Sequence, residues 1–169
     1  MMPRSNKAEQ KTKTELEVIA EKSTFRCVAN GCMYGIVSFK IGSKYFPTSD
    51  WHDFVTVLVE WWLRALIPLI RGKKTHAELL FMEGPYQVDV DLVSPETVGL
   101  RFVDRGRENF GKNDYENATV KVFPLIENLL RASDIVISTS RELRCRGRDL
   151  DGLELTVRDV RKKLGIDPV

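Results

Sequence analysis

A stretch from Trp51 to Ile70, apolar on almost every side, constrains the fold of this chain more than any other feature. Trp51, Phe54, Val55, Leu58, Trp61, Trp62, Ala65, Leu66 and Leu69 fall at helical spacings. Asp53, Thr56, Glu60, Arg64 and Arg71 recur three, four or seven residues apart and mark one narrow polar stripe. Thr48, Ser49 and Asp50 offer N-caps, and Asp53 falls in the first turn, where the helix dipole favours an acid. Pro68 should kink the last turn and Gly72 end it. A surface helix has one apolar face, so this one must be covered from several sides. That predicts a sheet wrapped on it with a second helix alongside. Trp61 and Trp62 are adjacent and cannot share a face, so one of them turns toward a neighbouring helix or a partner. Glu60, Arg64 and Pro68 interrupt the run and argue against a membrane span.

The rest of the chain reads mainly as strands. Leu16, Val18 and Ala20 alternate with polar neighbours, a second apolar run covers 25–28, and Ala29-Asn30-Gly31 supplies a turn into a strand over 33–41. Tyr45-Phe46 is a short strand closed by Pro47. Three strands follow in a row. Leu79–Met82 ends at Glu83-Gly84-Pro85; Tyr86, Val88, Val90 and Leu92 alternate with Gln87, Asp89 and Asp91; Val98, Leu100 and Phe102 alternate with Gly99 and Arg101. Turns this short cannot form parallel crossovers, so the three make an antiparallel meander with one apolar and one wet, acidic face. Arg105–Glu116 is a polar loop, Ala118–Val122 one more strand, and Pro124 begins a long helix running to about Arg146. Gly147 and Gly152 read as breaks before a short final helix over 156–164, capped by Thr156. The expected architecture is α+β, with a mostly antiparallel sheet of about six strands packed on the apolar helix and the long late helix.

Length and composition bound the class. The 169 residues suit one domain, read as 15–169 after a polar tail over 1–14. Hydrophobic residues at 43% are enough for a sizeable core, and a net charge of +2 is too small to attract nucleic acid or membrane by bulk field. Charge is unevenly placed: nine acids face five bases over 48–104, whereas thirteen bases face eleven acids from Arg105 onward. Cys27, Cys32 and Cys145 cannot all pair within one chain. With no apolar leader before them they read as reduced thiols of a cytoplasmic protein.

Catalytic signatures are missing. Two histidines, His52 and His76, are the only imidazole bases, and no nucleophile elbow, phosphate-cradling glycine loop or paired-cysteine metal motif is present. Cys27 and Cys32 with the histidines offer zinc ligands, but the spacing gives no second ligand pair. The chain is therefore read as a binding protein with no catalytic residue, metal or cofactor. Two chemical alternatives stand beside that reading. Asp89 and Asp91, two apart on a strand and about 7 Å from each other, could hold a divalent ion with Glu83 for a metal-dependent enzyme; their ordinary role is a solvated face. Arg141, Arg144, Arg146 and Arg148 crowd the end of the late helix and could meet nucleic acid. No aromatic accompanies them in sequence, and cations at a helix C-terminus are expected from its dipole, so nucleic acid is the weaker reading.

From Phe46 to Tyr86, an F-P dipeptide, then W-H-D-F-V-T-V-L-V-E-W-W-L, then L-L-F-M-E-G-P-Y-Q-V resembles small bacterial proteins of polymorphic-toxin immunity, including immunity proteins of contact-dependent growth inhibition systems. The resemblance implies a cytoplasmic protein that binds one cognate toxin domain, often a nuclease, and covers its active site or substrate groove. It carries over no functional residue. Nucleases are basic where they meet nucleic acid, so the complementary surface is expected at Glu83, Asp89, Asp91, Glu96 and Asp104, on the wet side of the meander. Oligomeric state and strand order are left open by the sequence.

Overall fold

A computed structural model describes residues 15–106 and 117–166. The polar tail and most of the Arg105–Glu116 loop lie outside the described residues. Among the described residues all strand pairing is antiparallel, in keeping with a mostly antiparallel expectation, but the strands form two sheets of five and four instead of one of about six.

The first sheet is built on β3 (Met33–Ile41). β1 (Leu16–Ala20) pairs with its C-terminal half, β2 (Arg26–Cys27) with its start. On the other side lie β4 (Lys44–Phe46) and β5 (His52–Phe54), since Phe39 faces both Val18 and Phe46 while Tyr34 faces both Arg26 and Phe54. β5 corrects the expectation of a helix running from the Thr48–Asp50 caps. Residues 52–54 give their backbone groups to β3, so α1 spans Val55–Ile70 and starts with no side-chain cap. Asp53, expected on a wet helical stripe, is fully buried. Thr56, from the same expected stripe, is buried too and accepts the Met33 amide at 2.8 Å. The two tryptophans lie in different environments. Trp62 is buried with its indole donating to the Leu80 carbonyl at 2.8 Å, while Trp61 is 43% exposed.

The second sheet is the meander β6 (His76–Leu80), β7 (Tyr86–Ser94) and β8 (Thr97–Asp104), extended by β9 (Ala118–Lys121). Its inner face, with Leu79, Val88, Val90, Leu100 and Phe102, meets the first sheet and α1 in one core. Aromatic rings join the layers: Phe39 lies 4.9 Å from Trp62 and 6.2 Å from Phe102, and Trp62 lies 5.0 Å from Phe81, centre to centre.

α2 (Val122–Glu142) packs on β1 and α1. α3 (Arg148–Leu164) packs on both helices and begins eight residues before the expected final helix. Gly147 is its N-cap, but Gly152 breaks nothing, because Leu150, Leu153, Val157 and Val160 share one buried face across it. Thr156 is not a cap; it is buried in mid-helix and donates to Glu60 at 3.3 Å. The cysteines also depart from expectation. Cys27 and Cys145 are joined in a disulfide that ties β2 to the α2–α3 junction, and Cys32 remains a buried thiol.

Candidate functional site

Strand alternation puts residues 87, 89 and 91 of β7 on the outer face of the second sheet. The register sets Leu80, Glu78 and His76 of β6 beside them on one side and Val103, Arg101 and Gly99 of β8 on the other. The outcome is a grid of charge centred on Asp89. This carboxylate is only 2% exposed, although its alternation with Val88 and Val90 reads as a wet position. Arg101 explains how it is tolerated: its Nε and Nη2 both donate to Asp89 Oδ2, at 3.0 and 2.5 Å. Gln87, 4% exposed, donates its amide to Asp89 Oδ1 and to Glu78 at 3.2 Å. Around this buried centre stand exposed charges: the side chains of His76 and Glu78 are each 48% exposed, Asp91 59% and Arg101 58%.

His76 is held by Asp91, whose Oδ1 lies 2.7 Å from Nδ1. That hydrogen bond, chiefly, raises the imidazole above its ordinary value of 6.5. The charged imidazolium is the form the pair favours. Any stability this adds is present in full below pH 6.5 and is lost as pH rises through the raised folded-state value. Following the ring resonances by NMR against pH should give a midpoint above 6.5 that falls back in Asp91→Asn. A midpoint unchanged by that substitution would place the cause elsewhere.

Of the expected partner-facing acids, Asp91 alone is an exposed member of this grid, and Asp89 is its buried anchor. Glu83 sits beyond β6, its backbone amide donating to Asp53 at 3.1 Å. Asp104 stands opposite Tyr86 at the same end and accepts the Gly106 amide at 2.9 Å. Glu96 is in the β7–β8 turn, at the far end of a nine-residue strand, roughly 25 Å away. The five acids therefore do not form one patch. His76 and Glu78 join the site in their place, and only the β6–β7 register could have revealed them.

The metal alternative changes in the same way. Glu83 is not beside Asp89, but His76, Glu78 and Asp89 bring ligand atoms within 4.8 Å of one another. Nearby cations already answer this charge. Arg101 occupies Asp89, Arg105 approaches Glu78 at 3.9 Å, and His76 faces Asp91. Three carboxylates thus meet two arginines and an imidazole whose protonation Asp91 favours, so a divalent ion bound there would have to displace these partners.

Compared with known proteins, the chain matches no family model, no curated protein and no solved structure. No described helix is long and apolar enough to cross a membrane.

The arginine cluster is divided. Arg141 belongs to α2 and pairs with Glu154 of α3 at 3.0 Å. Arg144, Arg146 and Arg148 lie beyond the end of α2 and are exposed. Next to them the buried Cys32 thiol is pushed up, mainly by loss of solvent. It therefore remains protonated, with little tendency to attack the neighbouring disulfide.

Proposed function

We propose that this chain is a binding protein of the immunity type, which neutralises a cognate toxin domain by covering its active site or substrate groove. The observation that supports it most is the outer face of the second sheet, where exposed charges of both signs are fixed in register around a buried Gln87–Asp89 centre. Side chains already held by ion pairs lose little freedom on docking, and a mixed charge pattern selects its partner by register. The resemblance over Phe46–Tyr86 points to the same kind of role, in the cytoplasm, without enzymatic activity. On this reading the partner contacts His76, Glu78, Asp91 and Arg101, with Glu83, Glu96 and Asp104 outside the centre of the interface.

The proposal requires a toxin domain encoded beside this gene, and the test is to co-express the two and to measure growth rescue and the association rate of the purified pair. Asp91→Lys should slow association about tenfold at low salt, with the difference shrinking as salt rises. Glu96→Lys should leave it within about twofold. A chain that neither binds nor protects against that domain would end the proposal. If Asp91→Lys were silent while binding persisted, the interface would have to lie on another face.

A further inference from the structure

The disulfide brings together two features far apart in sequence. Cys27 and Cys145 have Cα atoms 5.6 Å apart, so the loop that carries Arg144 and Arg146 is tied to β2 at the residue next to Arg26. The junction is also clamped by backbone. Gly31 and Gly147 pack so closely that a Cβ on Gly31 would lie 2.5 Å from the Gly147 nitrogen and 2.7 Å from the Arg146 carbonyl carbon. The arginine loop is thus fixed against the edge of the first sheet.

Arg144, one residue past the C-cap Leu143, lies at the end of α2 where the dipole favours a cation, but the two arginines that follow have no such support. Arg146 and Arg148 flank the N-cap of α3, the end of a helix where the dipole favours anions and disfavours cations. Arg144, in a left-handed conformation at φ 53°, stands just before them. Among the described residues none of Arg26, Arg144, Arg146 and Arg148 has a carboxylate at salt-bridge distance, whereas Arg141 takes Glu154 and Lys22 takes Glu142. The acids left in the vicinity are Asp149 and Asp151, in the first turn of α3.

The outer face of the first sheet supplies the aromatic groups that the sequence did not place among these arginines. Arg26 lies over the Tyr34 ring at 4.9 Å, and Tyr34 stacks with His52 at 6.0 Å between ring centres and 29° between planes. Arg26 and His52 are exposed and Tyr34 is partly so.

We propose that this corner binds single-stranded nucleic acid, with Arg144, Arg146 and Arg148 on consecutive phosphates and a base stacked on the Arg26–Tyr34–His52 ladder. Unpaired bases offer flat faces to such a ladder, whereas a duplex keeps its base faces inside the stack. With a net charge of only +2, retention by bulk attraction is weak, so binding depends on this local group. It lies on a different sheet from the Asp89 grid and stands independently of the toxin-binding proposal.

Fluorescence anisotropy of labelled oligonucleotides about 12 nucleotides long, as single-stranded RNA, single-stranded DNA and duplex, tests it. For three phosphate contacts, affinity for the preferred single strand should fall roughly 20-fold between about 50 and 200 mM salt. The double reversal Arg144→Glu/Arg146→Glu should remove most binding and flatten that dependence. Tyr34→Ala, on a partly exposed residue, should weaken binding about tenfold and leave the salt slope unchanged. Lys73→Glu/Lys74→Glu, charges at the end of α1, should change nothing. Circular dichroism confirms folding of each variant. The proposal fails if no strand binds at the lower salt. It fails equally if the lysine reversals act as strongly as the arginine reversals, or if the duplex binds as tightly as the single strand with Tyr34→Ala silent.

Discussion

Replacing Asp53 by alanine should lower the free energy of unfolding by about 4 kcal/mol and the melting temperature by roughly 10 °C or more. Asp53 Oδ1 accepts the Phe54 amide at 2.7 Å. Oδ2 accepts the Met82 and Glu83 amides, both at 3.1 Å, and the Trp51 indole at 3.3 Å. No described lysine or arginine pairs with it, so four N–H dipoles alone sustain a fully buried carboxylate. Alanine would leave those donors without an acceptor inside the protein, at about 1–3 kcal/mol for each that water cannot reach. The amides of Met82 and Glu83 belong to the turn that leads into β7, so the carboxylate also fastens one sheet to the other. Asparagine keeps one acceptor and should cost about half as much. Urea denaturation of the two variants checks this, and a loss below about 1 kcal/mol for alanine would mean that water or another group takes over the donors.

Opening the Cys27–Cys145 bond should cost a similar amount for a different reason. The bond closes a loop with a sequence separation of 118, and constraining a loop of that size stabilises a fold by about 4–5 kcal/mol through the unfolded chain. Unfolding in urea with and without a thiol reductant should therefore give well-separated midpoints. Cys27→Ser, at an exposed position, should match the reduced protein and be insensitive to reductant. Coincident midpoints for the oxidised and reduced wild type would refute the estimate. If the proposed cytoplasmic role is correct, the thiol form is the working state, and the remaining stability comes from the core and from Asp53. Reduction should also loosen the arginine loop, which the bond holds to β2.

What could be read from the sequence follows from how local each cause is. β1, β7 and β8 were legible because alternation with a period of two is a property of neighbouring residues, and α1 because its apolar positions are dense, whereas β6, expected over Leu79–Met82, runs over His76–Leu80. β5 was not, since three residues are too few to show a period and Trp51–Asp53 fits a helix start equally well. The start of α3 was masked by two glycines that usually mark breaks, of which only Gly147 does. In the candidate site, Asp91 and Asp89 are alike in sequence. The paired donation from Arg101 to Asp89 Oδ2 that separates them is a cross-strand fact, as is the meeting of His76 with Asp91. The disulfide has no local signal at all, because three cysteines permit several pairings and only the packing of the α2–α3 junction against β2 selects one.

The rings of Phe39, Trp62, Phe81 and Phe102 come from a strand of each sheet, from the helix between them in sequence and from the turn after β6. Neither half of the chain holds enough of that cluster to close it. Cutting after α1 would leave Phe39 and Trp62 facing solvent on one fragment and Phe81 and Phe102 on the other. The two sheets must consequently be gained and lost together, as a single cooperative unit, and damage to either one is felt throughout the molecule.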